Sequence, residues 1–220
     1  MIMSGLTRRL AIAALACVTL AAPAMAQDAS TEPDTAMELG WVEGQADAPV
    51  TVIEYFSPTC SHCKEFAEDI LPIVEETYIS TGKVRFIMRE WVRNSVDRTI
   101  LTQARCLPKK NGLSYLKDIF ARQEEIFVAA QVGTLPGTLQ IVGTPYGITD
   151  REKLDACYQD MDIRFDMLEV EKSAEKYDIH ATPTFIVDGT VHPATKAMMT
   201  PEGFTAFLDA ELAKAAPETN

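Results

Sequence analysis

VTVIEYFSPTCSHCKEF, residues 50–66, decides how the rest of the chain is read. Its first seven residues, Val50 to Phe56, are almost all β-branched or aromatic, as in a strand buried on both faces. Ser57-Pro58-Thr59 breaks that run. From Cys60 onward apolar residues recur at helical spacing (Phe66, Ile70, Ile73, Val74) to about Tyr78, with Pro72 expected to kink the helix. Thr81-Gly82-Lys83 then reads as a turn and Val84 to Arg89 as a second strand, which completes a βαβ unit. Two cysteines, Cys60 and Cys63, therefore stand where a buried strand feeds a helix.

Outward from this unit the texture changes. Residues from about Val96 to Tyr177 read as helices: Val96 to Leu107, stopped by Pro108, then Leu113 to Val128. A loop around Gly133, Pro136 and Gly137 follows, then a helix opened by a capping box with Thr149 as N-cap and Glu152 three residues on. The β pattern resumes at Thr184-Phe185-Ile186-Val187, with Asp188-Gly189 as a hairpin turn and Thr190-Val191-His192 returning. Thr200-Pro201 opens a last helix, ending near Ala215. The expectation is an α/β fold, residues 41–93 and 179–216, interrupted by a helical insertion over 94–178, with a short tail at 217–220.

At the other end, Thr7-Arg8-Arg9 is a basic n-region, Leu10 to Ala22 an apolar run, and Ala24-Met25-Ala26 a small-residue cleavage site. The run is shorter than the roughly 20 residues that span a bilayer, so residues 1–26 read as a secretory signal peptide rather than an anchor. Residues 27–40 are polar and acidic and read as a flexible leader. The whole chain holds 20 Lys and Arg against 32 Asp and Glu, a net charge of −12, and removing Arg8 and Arg9 makes it −12 − 2 = −14. Such an acidic chain is a poor partner for nucleic acid or anionic lipid. Of five cysteines, Cys17 leaves with the signal peptide. Four remain in an oxidising extracytoplasmic space, where disulfides persist.

A sulfur at a helix N-terminus meets unpaired backbone N–H groups and the positive end of the helix dipole, which favour its thiolate. Cys60 is thus the expected nucleophile and Cys63, one turn on, the buried resolving thiol. His62 is the nearest further donor that would lower the Cys60 pKa. Zinc sites use the same C-x-x-C spacing, but a structural zinc needs four ligands and no second C-x-x-C or His pair lies nearby. No metal or other cofactor is expected. A periplasmic Cu(I)- or Zn-binding protein using Cys60, Cys63 and His62 is the alternative from another class. Glu54, a carboxylate in an apolar strand, is either an exposed strand charge or a buried acid of raised pKa that moves a proton to and from Cys63. The Thr182–Pro183 bond precedes a strand and is a candidate for the cis form. Cys106 and Cys157, 51 positions apart in the insertion, are read as a structural disulfide. His180 and His192 read as surface histidines, His180 being close enough in sequence to Pro183 to line the site.

Together, Glu54-Tyr55-Phe56-Ser57, the C-x-H-C at 60–63, Thr182-Pro183-Thr184-Phe185 and the inserted helices resemble the DsbA-type thiol oxidoreductases of the thioredoxin superfamily, over about Trp41 to Ala215. The resemblance implies a thioredoxin-like fold with an inserted helical domain and a cis Pro183 packed against the Cys60–Cys63 pair. It implies that Thr182 helps to hold a substrate peptide and that Glu54 transfers protons. It further implies a periplasmic, monomeric enzyme that introduces disulfides into reduced exported proteins and is reoxidised by a quinone-linked DsbB-like membrane protein. Ser61 stands where the best-known oxidases have Pro, and Thr182 where they often have Val. Thr before the cis-proline also occurs in disulfide isomerases, so an isomerase or reductase on the same fold is the nearer alternative.

Overall fold

The computed structural model describes residues 39–216. The expected signal peptide, nearly all of the expected leader and the tail from residue 217 lie outside the described residues. Five strands form one sheet in the order β1-β3-β2-β4-β5. They are β1 (Trp41–Glu43), β2 (Val50–Phe56), β3 (Val84–Glu90), β4 (Thr184–Val187) and β5 (Thr190–Pro193). β2 and β3 pair in parallel, while β1 with β3, β2 with β4, and β4 with β5 are antiparallel. The central strand is β2, and both faces of the sheet are covered. On one face Phe66, Phe185 and Phe204 pack edge-on and tilted, with ring centroids 4.8–5.0 Å apart. On the other, Ile53, Tyr55, Ile87 and Ile186 pack with Val170 and Ala174. That double burial is why β2 is apolar along nearly its whole length.

The helix after Cys60 begins as α1 (Ser61–Glu65) and continues through α2 (Leu71–Val74). Single π-helical turns at Phe66–Ile70 and Glu75–Ile79 carry it to its end. Pro72, which has no N–H to donate, follows the first of these turns, so the expected break is taken up by a wider turn inside a continuing helix.

The insertion comprises α3 (Ser95–Cys106), α4 (Lys109–Ala121), α5 (Gln123–Gln131), α6 (Leu135–Gly143), α7 (Arg151–Tyr158) and α8 (Met161–Lys176), and α9 (Pro201–Ala215) closes the chain. Three expectations need correction. The single helix over 113–128 is two, joined at Arg122. The loop at Gly133–Gly137 is shorter than read, because α6 starts at Leu135 with Pro136 in its first turn, where a missing N–H costs nothing. The N-cap of α7 is Asp150, not Thr149: the Asp150 carboxylate accepts from the Lys153 amide at 2.8 Å, and its extended backbone starts the helix one residue later. β1 was not anticipated, since three residues are too few for a visible alternation. The Asp188-Gly189 hairpin and the Thr200 cap on α9 are present as expected.

Candidate active site

Strand register builds the site. In β4, Phe185 lies opposite Glu54 and Thr184 opposite Tyr55. The residues just before Thr184 therefore run beside the end of β2, where the chain turns into α1. There the Thr182–Pro183 bond is cis. Cys60 is the N-cap of α1, with extended backbone (φ −93°, ψ 123°). Its amide donates to the Ser57 carbonyl at 3.0 Å, and its thiol lies 3.2 Å from the Thr182 carbonyl. Cys60 is 6% exposed and Cys63 fully buried, and neither is in a disulfide.

The two thiols are pulled apart in acidity. Cys60 is lowered to about 5, first by the Cys63 thiol, which donates to its sulfur, and then by Thr182 and the backbone amides of Cys63 and His62, against the cost of burial. The Thr182 hydroxyl, buried and otherwise unpartnered, is the side-chain donor beside Cys60 that can serve its thiolate. Burial pushes Cys63 well up, and its hydrogen bond to Cys60 and the charges of Glu54 and Cys60 push it further. Glu54 is 1% exposed, with one carboxylate oxygen buried and unpartnered. Burial and then the negative charge at Cys60 raise its pKa well above that of an ordinary carboxylate. Of its two sequence readings, the exposed strand charge is ruled out by burial. The His62 side chain is exposed and lines the hollow at Cys60, and its backbone amide is among the groups that lower the Cys60 pKa.

Two buried residues of the insertion hold the turn that carries Cys60. Asp97 of α3 accepts from the Ser57 hydroxyl at 2.9 Å and from the Thr59 and Arg93 amides at 3.0 Å each. Gln123 at the start of α5 donates to the Pro58 and Cys60 carbonyls at 2.9 and 3.0 Å. A polar residue at an apolar helix position was the available signal, but it names no partner.

Above Cys60 lies an open hollow of about 370 Å³, lined by Ser61, His62, Trp91, Arg93, His180 and Thr182 among others. His180 lines it with its ring 2.9 Å from the Asp178 carboxylate. His192 is not among the lining residues; it packs its ring on Phe207 of α9. Cys106 and Cys157 are bonded, Cα atoms 5.9 Å apart, tying the end of α3 to α7. Among the described residues no group of three or more His, Cys, Asp or Glu side chains could hold a metal ion.

Residues 37–210 match the family model described as Thioredoxin. A protein of Rickettsia conorii, provisionally named a protein-disulfide oxidoreductase, is 28% identical over 148 residues, 67% of this chain and 53% of its own length. Disulfide bond formation protein D of Bacillus subtilis is 28% identical over 157 residues, 68% of each chain. The chain spans between about a third and about half of the length of the Rickettsia relatives it matches. Among solved structures, Wolbachia pipientis alpha-DsbA1 superposes with a TM-score of 0.68 at 23% identity, over 79% of this chain and 91% of that one. Oxidised BdbD from Bacillus subtilis superposes with a TM-score of 0.64 at 21% identity, over 80% and 97%. The fold is that of the DsbA structures, and the chain belongs to the thioredoxin family.

Proposed function

We propose that this protein is a periplasmic dithiol–disulfide oxidoreductase that passes a Cys60–Cys63 disulfide to reduced exported proteins. A substrate thiolate attacks the Cys60 sulfur, the Cys60–Cys63 bond breaks, and its electron pair leaves on Cys63. Glu54 supplies the proton that Cys63, a poor thiolate in this burial, takes up. The substrate's second thiolate then attacks the substrate sulfur of the mixed disulfide and displaces Cys60. Two electrons end on the protein, and the substrate leaves with its disulfide.

The observation that carries this reading is the split between Cys60, at about 5, and Cys63, pushed well above an ordinary thiol. A sulfur that rests as a thiolate is a good leaving group and stabilises the reduced protein, which makes the disulfide oxidising. Thr182 and cis Pro183 flank Cys60 where a substrate strand would lie. Reoxidation by a quinone-linked DsbB-like membrane protein, a monomeric state and export after cleavage behind Ala26 complete the proposal. Thr182 before the cis-proline keeps an isomerase as the second reading.

Redox equilibrium with glutathione, followed by refolding of reduced and of scrambled ribonuclease, tests it. The oxidase reading expects a potential well above that of thioredoxin (about −270 mV) and fast oxidation of the reduced substrate. A thioredoxin-like potential with efficient repair of the scrambled substrate would replace it by the isomerase. Recovery of the protein from the periplasmic fraction with Gln27 as its first residue tests the location.

A further inference from the structure

The hollow above Cys60 does not end at the redox pair. Trp91, which lines it, also lines a second hollow of about 210 Å³ with Val92, Arg98, Met167 and Leu168. Arg98 and Met167 in turn line a third, of about 410 Å³, with Thr99, Tyr158 and Arg164. Three hollows thus adjoin through shared residues in a groove that leaves Cys60, passes the end of β3 and runs between α3 and α8.

The groove has a chemical order. Its middle brings the apolar side chains of Trp91, Val92, Met167 and Leu168 together with Glu90, Arg98 and Glu171, and Leu168 is 42% exposed although it belongs to a helix that buries its neighbour Val170. Of the two carboxylates there, Glu90 is buried in an ion pair with Arg105 at 2.5 Å, while Glu171 is exposed. The far end carries Arg98 and Arg164 and no carboxylate, and Arg93 sits at the near end beside Cys60. Arg98 is exposed and makes no ion pair or side-chain hydrogen bond among the described residues. In a chain of net charge −12, a stretch lined by arginine is complementary to an acidic partner.

We propose that this groove seats an extended, unfolded segment of the substrate polypeptide next to its reactive cysteine. A large apolar side chain would rest between Trp91 and Leu168, and an Asp or Glu beyond it would meet Arg98. This rests on the oxidoreductase reading and adds to it a substrate class: unfolded segments in which an apolar and then an acidic residue flank the cysteine. An extended chain advances about 3.3 Å per residue, so the groove takes residues near the cysteine and not a folded surface.

The test uses the oxidised mature protein and synthetic peptides with two cysteines. Each peptide is oxidised to its internal disulfide as Cys60–Cys63 is reduced, two electrons and two protons passing between them. Phe and Asp are placed about two to six residues from the cysteines, on either side, against matched peptides with Ser and Lys. At the right spacing the Phe/Asp peptide should react about tenfold faster than its Ser/Lys counterpart, the size expected of one partly buried aromatic and one surface ion pair. Arg98→Glu should abolish or reverse the Asp-over-Lys preference, and Leu168→Ser should flatten the Phe-over-Ser preference. Each readout is a ratio within one protein, so a change in the redox pair cancels. Oxidation of all peptides within twofold of one another overturns this inference and leaves the oxidoreductase reading intact. No oxidation of any peptide overturns both. A preference that either variant leaves at its wild-type value overturns the assignment to this groove.

Discussion

Lowering the pH through 5 should remove stability from the reduced protein, by an amount that the Cys60 environment sets. A thiol moved from 9.0 to about 5 by folding is a group whose folded pKa is depressed. Its stabilisation is complete above 9 and falls as pH drops, until it is lost below the folded value. At pH 7 the bound-proton ratio between the two states is about a hundredfold, or about 3 kcal/mol in favour of the folded thiolate, nearly all of it gone by pH 5. Because the thiolate exists only in the reduced protein, the same 3 kcal/mol corresponds to about 60 mV of added oxidising power at pH 7. Glu54 works against this trend, since a raised carboxyl loses stability as pH rises, so the comparison must cancel it. Guanidinium unfolding of reduced wild type and of Cys60→Ser at pH 7, 6, 5 and 4, with the Cys106–Cys157 bridge intact, cancels the larger part, which burial of Glu54 sets, and leaves the smaller part that the Cys60 charge adds. The difference between the two should shrink by about 2 kcal/mol from pH 7 to 5 and then level off. Thiolate absorbance at 240 nm should titrate with a midpoint near 5, as the lowered Cys60 pKa requires. A difference that is flat over this range, or a midpoint above about 7, would refute the account of Cys60.

Other perturbations separate the parts of the site. Asp97→Asn puts an amide where the Ser57 hydroxyl and two backbone amides donate to a buried carboxylate. It should cost about 2–4 kcal/mol by denaturant unfolding, and an unchanged Cys60 midpoint would separate the clamp from the redox pair. Glu54→Gln should stabilise the protein at pH 7, because a buried carboxyl with raised pKa opposes folding as pH rises, yet slow the step in which Cys63 takes up a proton. Stopped-flow kinetics showing that step unaltered would remove Glu54 from proton transfer. Replacing Cys106 and Cys157 by Ala opens a loop of 51 residues and should cost about 4 kcal/mol by chain entropy, measured by thermal or denaturant unfolding. A loss under about 1 kcal/mol would mean that packing, not the bridge, holds α3 to α7.

Legibility in the sequence followed how local each cause was. The strand before Cys60, the Asp188-Gly189 hairpin and the Thr200 cap depend on residues within a few positions of one another, and all are present. The errors were also local. Thr149 and Asp150 are both good caps and adjacent, so pattern alone could not choose between them. Gly133, Pro136 and Gly137 read as loop because composition does not say that a proline sits in a first helical turn.

Two cysteines one helical turn apart at a strand-to-helix step are legible in the chain alone, and they place one sulfur at the helix N-terminus whatever surrounds it. The bias between the two thiols comes from long-range packing. The Cys60 thiol meets a carbonyl 122 positions away, Asp97 grips Ser57 from 40 positions away, and Gln123 reaches Cys60 across 63. Burial of Cys63 and Glu54 depends on the packing of both sheet faces and of the insertion, and desolvation, not spacing, sets which thiol holds its proton. Helix geometry is a property of neighbours in sequence, whereas solvent exclusion is a property of everything packed around a site.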